Sequence, residues 1–174
     1  MSPPTEDRSD RIEVEWRHER PDLDPSSIGV VTRVWELAKI LGDRRRKLLV
    51  EQDVDPALMD LLGLLRRNGA PHVMTTRELT ARAMVSAGAI SQRLARAEAR
   101  GWVRRAPGPA RQVVVQLTDE GRETVDRVAG LIFAADDEAL AGLTDRQRRD
   151  LAALLRRLSL ALGQSGPLPH VGGE

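Results

Sequence analysis

Eight arginines fall between Arg77 and Arg111, with two glutamates and no aspartate, so this stretch carries a formal charge of +6. The whole chain of 174 residues carries only +1, so the remainder is net acidic. A positive field confined to one segment of a near-neutral chain is the footprint expected of contacts with nucleic-acid phosphates. Within the segment, Gln92 bears an amide that can pair bidentately with adenine, and Arg96 can reach guanine or a phosphate. A helix turns about 100° per residue. Over residues 86–100 that count puts Ile90, Leu94 and Ala97 on one side, facing a core. Gly88, Gln92, Ala95 and Ala99 lie opposite, flanked by Ser91 and Arg96, and the small residues let a helix approach base edges closely. The candidate DNA contacts are therefore Ser86 at the helix start, Gly88, Ser91, Gln92, Arg96 and, further on, Arg111. The ordinary alternative is a solvated helix face of usual arginine content. Arg93 fits neither face. It lies about 60° from the core stripe and points sideways, where it either snorkels to a surface carboxylate or binds an anionic ligand.

The elements that position these residues follow from caps and periodicity. Thr75-Thr76-Arg77-Glu78 is a capping box that opens a short helix, and Gly101 stops the helix of residues 86–100. Trp102-Val103 begins one strand and Val113–Leu117 forms another, with the Pro/Gly-rich turn Ala106–Arg111 between them. Two helices followed by a basic hairpin make a helix-turn-helix with a wing. Around it, Asp7–Arg20 reads as a short charged helix, and a long helix spans about residues 26–50. The long helix carries two apolar stripes (Ile28, Val31, Trp35, Ala38 and Val30, Val34, Leu37, Leu41), so it has two partners and is buried between subunits or layers. Asp55-Pro56 opens a helix with Leu58, Leu61, Leu62 and Leu65 as its core stripe, ending near Asn68-Gly69. Thr118 caps a helix to about Asp137, and the box Thr144-Asp145-Arg146-Gln147 opens a last one to about Leu162.

The expected fold is mainly α: a winged helix-turn-helix with a helical dimerisation region and an extra N-terminal helix. Residues 1–25 form the N-terminal extension, 26–55 and 119–163 the dimerisation helices, 56–118 the DNA-binding lobe, and 164–174 a disordered tail, as is Met1 to about Thr5. With no Tyr and only Phe133 as phenylalanine, the core must be built from Leu, Ala and Val. No cysteine is present, which excludes disulfides and thiolate metal sites. The three histidines, His18, His72 and His170, are scattered without metal spacing, and no Gly-rich phosphate loop precedes a helix. No metal, cofactor or enzymatic activity is expected. No apolar run reaches 18 residues and no signal-peptide core is visible, so a cytoplasmic protein without a membrane partner is expected. Twenty-five arginines against two lysines (Lys39, Lys47) read as genomic base-composition bias.

Three pieces resemble the multiple-antibiotic-resistance regulator (MarR) family of dimeric winged-helix repressors. They are L-A-R-A-E-A-R-G-W-V-R-R at Leu94–Arg105, V-x-L-T-D-E-G at Val115–Gly121, and the closing two-helix pattern. Ala97 stands where the family more often has a larger apolar residue. The chain also resembles the subgroup with an added N-terminal helix, which includes urate-responsive and trans-aconitate-responsive regulators. That likeness rests on W-R-H-E-R-P-D-L-D at Trp16–Asp24, D-L-L-G-L-L-R-R-N-G-A-P at Asp60–Pro71 and M-V-S-A-G-A-I-S-Q-R at Met84–Arg93. It implies a ligand site made of Trp16, Arg20, Asp60 and Arg93. Trp16 and Arg20, at i and i+4, share a helix face. The bland readings are that Trp16 pins the added helix to the body and Asp60 pairs with a neighbouring arginine. The wing departs from the family's D-P-x-D-R-R: Ala106-Pro107-Gly108-Pro109-Ala110-Arg111 keeps only Arg111 for the minor groove.

The function expected is a homodimeric, ligand-responsive repressor that binds palindromic double-stranded DNA and is released by a small anionic ligand, urate-like or a polycarboxylate. The alternative is a winged-helix protein–protein interaction module with weak or no DNA binding, which the altered wing keeps open.

Overall fold

The structure is a computed structural model that describes residues 6–163. The tails expected to be disordered, 1–5 and 164–174, lie outside the described residues. Two compact units divide within the long helix, between Arg45 and Arg46.

In the first unit, α1 (Arg8–Glu19) is opened by Asp7, which accepts from the amides of Ser9 and Asp10 in a capping box. Arg33 on α2 (Ile28–Glu51) donates to both Asp7 and Asp10 at 2.6–3.0 Å, tying the two helices at the first turn of α1. These guanidinium contacts, foremost for Asp7, hold both carboxyls below their usual range, with the Asp7 backbone amide the larger cause for Asp10. The apolar stripes of α2 stay uncovered: Val30, Val31, Val34, Leu37 and Ile40 are exposed and Trp35 is 73% exposed.

The second unit contains the hydrophobic core. α3 (Pro56–Arg67) begins at Asp55, whose carboxylate accepts from the amides of Ala57 and Leu58, with Pro56 at the first helical position. Its Leu58, Leu61, Leu62 and Leu65 are buried as their spacing requires, and Met59 joins them. α4 (Thr76–Ala83) starts with the expected box between Thr75 and Glu78. α5 (Ala87–Ala99) is capped by Ser86. The turn between them puts Met84 in the left-handed conformation at φ 50°. α6 (Asp119–Ala139) and α7 (Asp145–Ala161) are capped by Thr118 and Thr144. α6 lays Val125, Val128 and Ile132 into the core, whereas α7 buries none of its residues.

The sheet differs from the expected hairpin in having a third strand. β1 (Val73–Thr75) pairs antiparallel with β3 (Val113–Leu117), which also pairs with β2 (Val103–Pro107), giving the order β1-β3-β2. A three-residue segment has too few positions to show alternation. β1 is a strand because β3 supplies its hydrogen-bond partners and because Met74 fills the core.

The end of α5, the wing and the start of α6 meet at one knot. Gly101 stops α5 at φ 72°, the left-handed region open to glycine. The Trp102 amide donates to the Ala97 carbonyl at 3.0 Å, and the Thr118 amide donates to the Trp102 carbonyl at 3.1 Å. The Thr118 hydroxyl donates to the Gly101 carbonyl at 2.7 Å and accepts from the Gly121 amide. A Cβ at Gly121 would sit inside the van der Waals shell of the Trp102 carbonyl oxygen, and backbone cannot move aside as a side chain can. The glycine of L-T-D-E-G is thus required by close approach. Gly121→Ala should destabilise the fold by about 1–3 kcal/mol through overpacking, read as a lower urea midpoint with an unchanged m-value.

Candidate nucleic-acid interface

α5 presents a two-sided helix. Ile90, Leu94 and Ala97 are 0–2% exposed and pin it to the core. Gly88, Ser91, Gln92, Ala95, Arg96 and Ala99 face solvent, as does Ser86 at its cap. Since α5 follows α4 across the Met84–Ser86 turn, the geometry is that of a helix-turn-helix whose second helix offers its N-terminal half outward. The sequence count of faces therefore matches the burial pattern at each of these positions. Arg93, placed sideways by the same count, is half-buried.

The arginines of the basic segment are held in different ways. Arg105 donates from its side chain to Glu98 Oε2, with Nε at 2.9 Å, and so straps β2 to the last turn of α5. That guanidinium is the main reason the Glu98 carboxyl lies below the usual carboxylate range. Arg104 donates twice to Gln116 Oε1, at 3.1 and 2.7 Å, across the β2–β3 ladder. Gln116 in turn donates to the Pro71 carbonyl. Arg96, singled out for base or phosphate contact, pairs with Asp55 at 3.2 Å while about half exposed. Arg100 pairs with Asp53 at 2.9 Å, and its guanidinium carbon lies 4.3 Å from the Trp102 ring centroid. The acids in these pairs were not among the sequence candidates. The pairs of Asp53 and Asp55 span more than 40 positions and leave no periodic trace.

At the wing tip, the Gly108 amide donates to the Gln112 carbonyl at 2.7 Å, and Ala110 takes a left-handed conformation at φ 55°. The side chain of Arg111 lies outside what the structure describes. Between α4, α5 and the wing runs an open cleft of about 640 Å³, with Ile90, Leu94, Val113, Arg77 and Arg105 among its lining residues.

The four residues implied as a ligand site fall in both compact units. In the first, Trp16 is 49% exposed on α1, and the Arg20 amide donates to the Trp16 carbonyl at 2.8 Å. Arg20 pairs with Asp22 through two hydrogen bonds of 2.8 and 2.7 Å. In the second, Asp60 and Arg93 are both half-buried and both engaged in polar interactions. Among the described residues no cluster of three or more His, Asp or Glu could hold a metal ion, and no helix is long and apolar enough to cross a membrane.

Comparison with known proteins agrees with this geometry. Residues 52–112, which contain α3, α4, α5, β2 and the wing turn, match the family model described as MarR family. The HTH-type transcriptional regulator PecS of Dickeya dadantii (strain 3937) is 31% identical over 146 residues, covering 83% of this chain and 88% of PecS. Among solved structures, Sco3205 of Streptomyces coelicolor, a MarR family transcriptional regulator in complex with DNA, is similar with a TM-score of 0.66 and 27% identity, over 84% of this chain and 95% of that one. Apo wild-type MarR from E. coli is similar with a TM-score of 0.61 and 26% identity, over 74% of this chain and 95% of that one. The fold that carries this outward-facing second helix is thus similar to that of a DNA-bound regulator, and the chain belongs to the MarR family of winged-helix, DNA-binding transcriptional regulators.

Proposed function

We propose that the protein is a homodimeric repressor that binds a palindromic operator and is released by a small anionic ligand, as in the family subgroup with an added N-terminal helix. The observation that carries the DNA half of this reading is the exposed face of α5, where Gly88, Ser91 and Gln92 stand over a buried apolar stripe. Ser86, Gly88, Ser91 and Gln92 enter the major groove in this reading and Arg111 the minor groove, while Arg96 at the edge of that face is held by Asp55. The family likeness and the DNA complex of Sco3205 support it. A gel shift against DNA upstream of the protein's own gene, repeated at several salt concentrations, tests it. Gln92→Ala should relax base preference and cost about 1–3 kcal/mol on the best site. Equal losses on cognate and random DNA would remove Gln92 from base reading.

Uncovered apolar helix faces support the dimer. Leu151, Leu154, Leu155 and Leu158 on α7 and Leu162 at its C-cap recur at helical spacing and are 40–71% exposed, and Phe133 on α6 is 66% exposed. α2 separately exposes its own stripe, with Trp35 at its centre. Uncovered apolar stripes of this kind ask for a partner, and a second copy covers them with twofold symmetry. Leu155→Glu should abolish the dimer in sedimentation or cause aggregation, because a buried unpaired charge is strongly unfavourable. A wild-type protein that sediments as a folded monomer at micromolar concentration would contradict the dimer.

The ligand half rests on the likeness to that subgroup, which implies roles for Trp16, Arg20, Asp60 and Arg93. An aromatic platform and two guanidinium groups suit a flat or compact anion such as a urate-like molecule or a polycarboxylate. Two recognition helices must stay about 34 Å apart to occupy successive major grooves. A ligand that prefers a different separation therefore releases DNA by population shift. Thermal-shift screening with urate, xanthine, citrate, aconitates and aromatic carboxylates should reveal a native-state ligand as a raised Tm. Arg93→Ala should keep DNA binding and lose release by that compound. The opposite pattern, DNA binding lost and ligand affinity kept, would assign Arg93 to DNA.

A further inference from the structure

Two acids at the α2–α3 corner hold the back half of the recognition helix. Asp53 sits in the left-handed conformation at φ 52°, and Asp55 is the N-cap of α3. Asp55 cannot turn away: its Oδ1 accepts from the amides of Ala57 and Leu58 at 2.8 and 3.2 Å, leaving Oδ2 for Arg96 at 3.2 Å. Asp53 Oδ2 takes Arg100 at 2.9 Å while the same guanidinium lies over Trp102. Arg96 and Arg100 stand one helical turn apart, so one corner restrains both.

These arginines are positively charged groups bordering the DNA-facing side of α5. Attraction of arginine to phosphate is independent of base sequence. It raises affinity for every duplex and so adds nothing to discrimination, which is a difference of affinities. We propose that Asp53 and Asp55 are positioning residues that withhold Arg96 and Arg100 from DNA phosphates, lowering affinity for non-cognate DNA and leaving the first two turns of α5 to select the site. The four side chains are between 41% and 86% exposed, so the pairs are labile competitors for phosphate and not a rigid lock. This inference rests on DNA binding by the family and not on the proposed ligand or repressor role.

The test uses full-length protein and a random-sequence duplex, with binding measured by fluorescence anisotropy between 50 and 200 mM salt. The variant is Asp53→Asn with Asp55→Asn. Asparagine caps helices as well as aspartate and accepts the left-handed conformation, so the backbone roles survive while the charges go. Each phosphate contact contributes about −0.9 to the slope of log K against log salt. The double variant should bind more tightly at low salt, with a slope steeper by about one to two; that is an extra loss of about three- to fourfold per freed arginine over this salt range. Asp53→Asn alone, which leaves the α3 cap intact, should give part of the effect. Adding Arg96→Gln and Arg100→Gln should return the slope to the wild-type value. A charge-matched control, Asp136→Asn with Glu138→Gln at the far end of α6, should leave the slope unchanged. The wild-type curve reports DNA binding by itself, so a failure there is distinct from a failure of the difference. Parallel curves for wild type and double variant, an equal steepening in the control, or a steep slope that survives loss of both arginines would each overturn the proposal.

Discussion

The contact between Gly121 and the Trp102 carbonyl is the constraint on which the DNA-binding lobe depends. Through it α6 enters against Trp102, three residues past the end of α5, with no side chain in between. Thr118 bonds both sides of the junction, taking the Trp102 carbonyl with its amide and the Gly101 carbonyl with its hydroxyl. Recognition helix, wing and α6 therefore share one set of backbone hydrogen bonds. Trp102 and Val103 are buried beneath them, with Val115 and Leu117 from β3 closing the layer. Displacing α6 would carry the end of α5 with it.

Much of this was legible because it is written in short local rules. The boxes at Thr75–Glu78 and Thr144–Gln147 and the Asp55-Pro56 start each need only three or four adjacent residues, and each forms. The faces of α5 follow from the helical period, which the burial of Ile90, Leu94 and Ala97 reproduces. What escaped depends on partners distant in sequence. β1 is a strand only because Val114–Gln116 lie beside it. The Met84 turn adopts a left-handed conformation with a residue that does not announce it. Glu98 reads as a surface residue of α5 until β2 brings Arg105 to it. The acids that meet Arg96 and Arg100 sit beyond α3 and α4 in sequence, where no periodicity connects them.

The wing is braced by parts other than those of the pattern it resembles. The turn Ala106–Arg111 has neither acid of the D-P-x-D-R-R pattern. In their place the hairpin is closed by the Gly108–Gln112 hydrogen bond and by the fixed φ of Pro107 and Pro109. Arg104 and Arg105 are oriented from outside the turn, by Gln116 on the neighbouring strand and Glu98 on α5. Stiffness of the hairpin thus comes from the body of the sheet and the recognition helix, which makes the wing's direction a property of the whole lobe.

The same accounting changes what the +6 charge of residues 77–111 means. That figure already includes Glu98, but it omits Asp53 and Asp55, which lie outside the segment and against it. With them the local charge is nearer +4, and at least four of the eight arginines have a protein partner: Arg96, Arg100, Arg104 and Arg105. Long-range attraction depends on the sum of charges and persists. Close contact depends on which guanidinium groups are available at the surface, and pairing limits that number. A lobe built this way is drawn to any duplex by its field. In the proposed reading it is then held most firmly where Gly88, Ser91 and Gln92 find matching base edges, because contacts of that kind, unlike phosphate contacts, differ from one sequence to the next.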